Sequence, residues 1–300
     1  MKKFTIIFIV IIIVGLGVYF LREKLFSQLP SDTNTTQEQN NNEATTTEAT
    51  QIEQSEIVIG KSVENRDIIA YNYGGGSTRI LFVGGIHGGY SWNTSLVAYE
   101  LMDYLKVNPN IIPRNVKVTV IPILNPDGLN KVVGTSSRFV KVDVSPSQAV
   151  QISGRYNANK VDLNRNFDCD WQSVAKWRTT SVSGGSKAFS EPESSVFKSY
   201  IGTHRPEAVL VWYSAAGGIY ASSCDNAILP QTTTIINTFA KASGYPSYQS
   251  FDFYETTGDM ANWLSKINIP AISVLLSTHE DIEWDKNRKG IEALLDLYNK

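Results

Sequence analysis

The chain has 300 residues, 42% of them hydrophobic, with 27 basic and 29 acidic side chains and a net charge of −2. Residues 1–56 hold four basic and seven acidic side chains, which leaves the other 244 residues near neutral at +1. A body without a basic bias argues against a nucleic-acid partner. Its apolar content excludes disorder, and two cysteines exclude a disulfide-dense scaffold or a four-cysteine zinc module.

Phe4–Leu21 is an uncharged apolar run of the length a helix needs to cross a bilayer. Lys2 and Lys3 precede it, so the positive-inside rule places residues 1–3 in the cytoplasm and the body outside. A cleaved signal peptide would need a small-residue site after the run, where Tyr-Phe-Leu-Arg-Glu stands instead. The expectation is a single-pass transmembrane anchor over 4–21 and a cell-membrane protein with an extracytoplasmic body. Residues 22–56 are dominated by Thr, Asn, Gln and Glu, which cannot repay the entropy of ordering. They are expected to be a flexible polar linker holding the domain, residues 57–300, about 30 Å from the membrane.

From Ile57 onward, β-branched runs at 78–84, 115–124, 208–212 and 271–276 alternate with helix-period stretches. The helical stretches are 95–105, 191–201, 229–241 and 290–298. This alternation predicts an α/β domain with a mostly parallel sheet covered by helices on both faces. Functional residues in such sheets lie past the carboxyl ends of strands, here 85–93, 125–128, 213–219 and 277–281. Asn125-Pro126-Asp127-Gly128 reads as a turn by its residue types. Val161–Phe167 crowds Arg165 among Asp162, Asn164 and Asn166. A rigid guanidinium fork in such company suits a carboxylate ligand, although local ion pairing would explain it equally well.

Several segments in order resemble the carboxypeptidase A-type zinc carboxypeptidase family, in particular its bacterial branch. They are Val83–Thr94 around His87, Asn125–Gly128, Gly154–Phe167, Phe189–Glu193, Tyr213–Gly218, Tyr254–Asp259 and Ile269–Val274. The resemblance implies a mixed eight-stranded sheet flanked by helices. It also implies a zinc ion held by two His and one Glu, a Glu general base, and Asn, Arg and Tyr groups that grip the C-terminal carboxylate of a peptide.

By that resemblance, His87 stands at the first zinc-ligand position and Asp162 at that of the carboxylate orienting it. Ser91 and Tyr213 occupy the other two ligand positions, and Leu275 that of the general base. Glu100, 13 residues beyond His87, is on the order of 15–20 Å away along a helix and too far to ligate. Serine and neutral phenol are poor zinc ligands, and leucine has no lone pair. Asn164 and Arg165 match the carboxylate clamp, Arg155 the oxyanion arginine, and Tyr254 the tyrosine that closes over the site. Lys160 stands where the family usually has glycine, which threatens the turn into Asp162.

The resulting expectation is a membrane-anchored, catalytically degenerate pseudoenzyme with no cofactor, which binds peptides with a free C-terminal carboxylate, cell-wall peptides among them. The alternative is an active zinc enzyme whose rearranged metal site joins His87 to His279 and to Glu280 or Asp281. A metal-free hydrolase using Ser91 or Ser214 with His87 as base is a third reading. His204 precedes a strand, at the opposite end from the site. Cys169 and Cys224 form either one disulfide or two buried thiols.

Overall fold

A computed structural model describes residues 55–225 and 228–300. The expected anchor over 4–21 and nearly all of the expected linker lie outside the described residues. Among the described residues no helix is long and apolar enough to cross a membrane.

Among the described residues ten strands are formed, β1 (Ser55–Lys61), β2 (Asp67–Tyr73), β3 (Thr78–Val83), β4 (Val116–Ile121), β5 (Val174–Trp177), β6 (Thr180–Ser183), β7 (Ala208–Ser214), β8 (Gly218–Ala221), β9 (Ser247–Tyr248) and β10 (Ala271–Leu276). The α-helices are α1 (Trp92–Val107), α2 (Pro126–Val133), α3 (Gln148–Ser153), α4 (Pro192–His204), α5 (Pro230–Ser243), α6 (Met260–Lys266) and α7 (Trp284–Leu297). Eight strands make one sheet in the order β1-β2-β4-β3-β7-β10-β8-β9, and β5 and β6 form a separate hairpin. Four of the sheet's pairings are parallel and three antiparallel. The central strands β4, β3, β7 and β10 run mutually parallel, with β8–β9 the fourth parallel pair, and these central strands are also the four β-branched runs.

Successive residues of β3 point to opposite faces, as a pleated strand requires. Ile80 and Phe82 join a core with Val97 and Leu101 of α1, Phe239 of α5 and Leu294 of α7. Leu81 and Val83 join a second core with Phe197 of α4 and Trp263 of α6. Both faces are therefore covered, which is why the strands read as unbroken apolar runs rather than alternating ones.

The structure departs from the sequence-based expectations at identifiable places. Strand β1 is an edge strand that already includes Ser55 and Glu56, both paired to β2. Its residues are largely exposed, so it carries little apolar signal. Asn125–Gly128 is a helix start and not an isolated turn. The Asn125 side chain accepts the Gly128 N–H at 2.9 Å and Pro126 takes the first helical position. The same residue types serve both structures, and the apolar residues Leu129, Val132 and Val133, all buried, extend this one into α2. Helix α7 starts at Trp284, six residues earlier than the sequence pattern suggests. Lys160 does adopt a left-handed backbone, with φ of 62°. The turn survives because the Asn157 side chain accepts the Val161 N–H at 3.0 Å while its amide holds Glu191 at 2.8 Å.

Candidate functional site at the carboxyl edge of the sheet

The carboxyl ends of β3, β7 and β10 open onto one cavity of about 620 Å³. His87, Arg155, Asn164, Arg165, Tyr213, Tyr254 and Leu275 all line it. Asp162 lies directly behind the wall and is fully buried. Positions spread over nearly 190 residues of sequence are thus brought together, as the strand-end rule predicts.

His87 is held at the end of β3 by a close approach of backbone. Gly88 has φ of 44°, and a Cβ there would lie 2.6 Å from the Gly154 carbonyl oxygen and 2.8 Å from the Gly128 carbonyl carbon. Only glycine permits that contact. His87 is 5% exposed, and neither ring nitrogen has a hydrogen-bond partner among the described residues. Asp162 Oδ1 approaches its Nε2 at 3.5 Å, longer than a formed hydrogen bond. Burial and the nearby Arg155 guanidinium push the imidazole down to about 4, against partial support from Asp162.

Asp162 is committed elsewhere. Its Oδ1 accepts the Asn164 N–H at 3.1 Å, capping the short 3-10 turn Leu163–Arg165. Its Oδ2 takes both Nε and Nη2 of Arg155 at 2.8 Å. Burial alone would raise this carboxyl, but Arg155 and His87 hold it well below the usual carboxylate range. Arg155 is therefore not a free guanidinium. It is 2% exposed, packed over the Trp177 ring at 4.5 Å and near Tyr90 at 5.5 Å.

The two positions expected to carry a second histidine and a glutamate are direct neighbours, since Tyr213 of β7 pairs with Leu275 of β10 in parallel register. The Tyr213 hydroxyl donates to Asn164 Oδ1 at 3.1 Å, away from His87, whose ring centroid is 5.7 Å from that of Tyr213. Burial and the Asp259 charge raise the Tyr213 phenol well above its ordinary value, so it stays protonated. Ser91 ends the 3-10 turn Gly88–Ser91, and its hydroxyl is buried without a partner. Ser214 donates to the Asn93 side chain at 2.9 Å, so no serine–histidine pair forms with His87. Glu100 is exposed on α1.

The opposite wall is held by a network of hydrogen bonds. The Asn164 amide donates to Asp259 at 2.7 Å, and its oxygen accepts from Tyr213 and from the Met260 N–H at 3.1 Å. Arg165 donates Nε to the Lys176 carbonyl at 2.9 Å and Nη1 to the Asn164 carbonyl at 2.6 Å. This leaves the Nη2 protons without a protein acceptor among the described residues, and Tyr254 sits over the guanidinium at 6.0 Å. Gly258 (φ of 65°) makes this possible, because a Cβ there would lie 2.2 Å from the Arg165 carbonyl oxygen.

His279 lies against the Tyr90 ring at 4.5 Å and is not among the cavity-lining residues. Glu280 pairs with Lys141, and Asp281 accepts the Glu283 N–H. Among the described residues, the one group of three metal-donor side chains within 4.8 Å is Cys169, Asp170 and Cys224. Its sulfurs are joined in a disulfide with a Cα–Cα distance of 6.0 Å. His204 packs on Tyr200 far from the cavity lining. Sequence reasoning assigned no role to Trp177, Arg178 or Asp259, which also line the cavity. Asp259 ends the family-like segment Tyr254–Asp259, whereas the two four-residue strands of the β5–β6 hairpin carrying Trp177 and Arg178 are too short to show a pattern.

The chain is 25% identical over 216 residues to a gamma-D-glutamyl-L-diamino acid endopeptidase of Lysinibacillus sphaericus, covering 65% of this chain and 54% of that protein. It is 28% identical over 158 residues to murein peptide amidase A of Vibrio campbellii, covering 49% of this chain and 60% of that one. It therefore spans little more than half the length of these curated relatives. The fold is that of carboxypeptidase A from Helicoverpa armigera, with a TM-score of 0.62 at 18% identity over 82% of this chain and 70% of the other. Residues 43–282 match the family described as zinc carboxypeptidase. With that match running through every element that builds the cavity, the chain belongs to the zinc carboxypeptidase family.

Proposed function

We propose that this family member binds peptides through a free C-terminal carboxylate and does not hydrolyse them, and that residues 4–21 anchor it in the cell membrane with the domain outside the cytoplasm. The observation carrying the reading is the pairing of Tyr213 with Leu275, the phenol already bonded to Asn164, at the end of the cavity where His87 stands alone. One imidazole, a protonated phenol, a hydroxyl and an isobutyl group do not fit a zinc ion, which takes nitrogen, thiolate or carboxylate donors in fours, or in threes with water. No hydrolytic step through a metal is derived for this chain.

Binding is supported at the other end. Arg165 lines the cavity with N–H donors left over, the Asn164 carbonyl holds its Nη1, and Tyr254 stands over it. A carboxylate placed there gains charge-assisted hydrogen bonds. Murein peptides are the class to test first, by the name of the Vibrio campbellii relative.

The test titrates the full-length protein with short peptides as free acids and as C-terminal amides. Free acids bind, amides bind at least tenfold more weakly, and Arg165→Ala removes the difference. Metal analysis finds no stoichiometric zinc, and no C-terminal amino acid is released. The triple variant S91E/Y213H/L275E gains zinc binding. Parent protein that carries one zinc per chain and releases amino acids overturns the reading. The anchor is tested separately, since deletion of residues 1–24 is expected to release the protein from membranes.

A further inference from the structure

The cavity holds more positive charge than a single terminal carboxylate needs. Three guanidiniums line it, those of Arg155, Arg165 and Arg178. Asp162 neutralises Arg155. Asp259 is the one carboxylate in the lining, and both its oxygens are occupied by Asn164 and the Asn262 N–H. Arg178 has no ion pair or hydrogen bond among the described residues.

Arg178 also occupies a costly position. It follows Trp177 in the two-residue turn between β5 and β6, where Trp177 pairs with Thr180. Its φ of 55° is in the left-handed region, where glycine or asparagine would be relaxed and a long side chain is strained. Backbone strain at a cavity-lining residue points toward a ligand role. The same hairpin fixes the clamp, because the Lys176 carbonyl accepts Arg165 Nε.

We propose that the cavity selects peptides carrying a second carboxylate near the C-terminus, with Arg165 taking the terminal carboxylate and Arg178 the second one. This rests on the carboxylate-binding reading above and names its substrate class. Arg178 stands at the mouth of the cavity on the hairpin side, while Phe251 and Phe253 form an apolar wall elsewhere in the lining. Selection for negative charge is therefore local to the hairpin.

Full-length protein in neutral detergent is titrated calorimetrically with acetyl-Ala-Glu-Ala, its Gln isostere, and the C-terminal amide of each. The Glu peptide binds about tenfold more tightly than the Gln peptide, the size of one exposed charge-assisted hydrogen bond. That ratio shrinks as salt rises from about 0.05 to 0.5 M, because the pair lies at the solvent edge. Arg178→Gln brings the ratio to about one, and Arg178→Glu inverts it. Arg178→Gly relaxes the turn, so it melts at a higher temperature than the parent yet loses the same discrimination, which a purely structural role would not do.

Equal affinities for the Glu and Gln peptides, with both amides much weaker, overturn the role of Arg178 and leave the carboxylate-binding reading standing. Discrimination that persists in Arg178→Gly overturns it as well. Amides that bind as tightly as free acids, or no binding of any peptide, overturn both.

Discussion

The two ends of the cavity are built on opposite terms. At the Arg165 end the polar groups are tied to protein, Asn164 to Asp259, Tyr213 and Met260 and Arg165 to two backbone carbonyls, with only the Arg165 Nη2 protons left over among the described residues. At the His87 end, both imidazole nitrogens and the Ser91 hydroxyl are buried without a partner among the described residues, and Leu275 offers nothing. An unsatisfied buried polar group costs roughly 1–3 kcal/mol. The first end is stable as it stands, and the second keeps a cost that only packing or an added ligand offsets. Arg155 and Asp162 lie between them as an internal ion pair, so the orienting carboxylate is satisfied without reference to the histidine.

Breaking that pair should have the largest effect. Asp162→Ala leaves Arg155 buried and uncompensated, with an expected loss of about 3–5 kcal/mol in urea unfolding. The double variant D162L/R155M should recover much of the loss, and a double variant no more stable than D162A would show that the charges do more than balance each other. Next comes the pH dependence of the His87 end. The imidazole is near 4 when folded against an ordinary 6.5, so the unfolded chain takes up the proton first. Stability present above pH 6.5 is therefore lost as pH falls toward 4, by about 3 kcal/mol. The difference between wild type and His87→Gln isolates this contribution, and parallel profiles for the two proteins would refute it.

Tyr213→Phe should cost about 1 kcal/mol, because it removes one hydrogen bond while Asn164 Oδ1 still accepts from Met260. A loss several times larger would mean the two ends are coupled through Tyr213. The smallest effect is a gain. Lys160→Gly relaxes a φ of 62° and should add about 0.5 kcal/mol, read as a higher denaturation midpoint. Unchanged peptide affinity in this variant would place the Lys160 strain outside the binding site.

The four central strands and the four long helices were legible because each carries a sustained apolar period. Asn164 and Arg165, which line the cavity, were picked out because they sit with Asp162 in a segment that resembles the family. Strand β1, the short β8 and β9, and the β5–β6 hairpin were not, since β1 is largely exposed and strands of two to four residues are too short for a pattern to form. Arg178 was hidden for the same reason. Arg155 was singled out by resemblance as the oxyanion arginine, but its ion pair with Asp162 was not legible, since at seven residues apart nothing local says that their side chains meet.

The amino-acid sequence by itself determined which chemical groups are present at the strand ends: one histidine, a phenol and an isobutyl group on one side, an amide and a guanidinium on the other. These are matters of composition at particular positions and need no geometry. The tertiary structure alone decided who bonds to whom. Cross-strand register sets Tyr213 beside Leu275, burial forces Asp162 onto the nearest guanidinium, and an unanticipated hairpin carries Arg178 to the rim. Such pairings follow from distances in space between residues far apart in the chain, and local sequence carries no record of them.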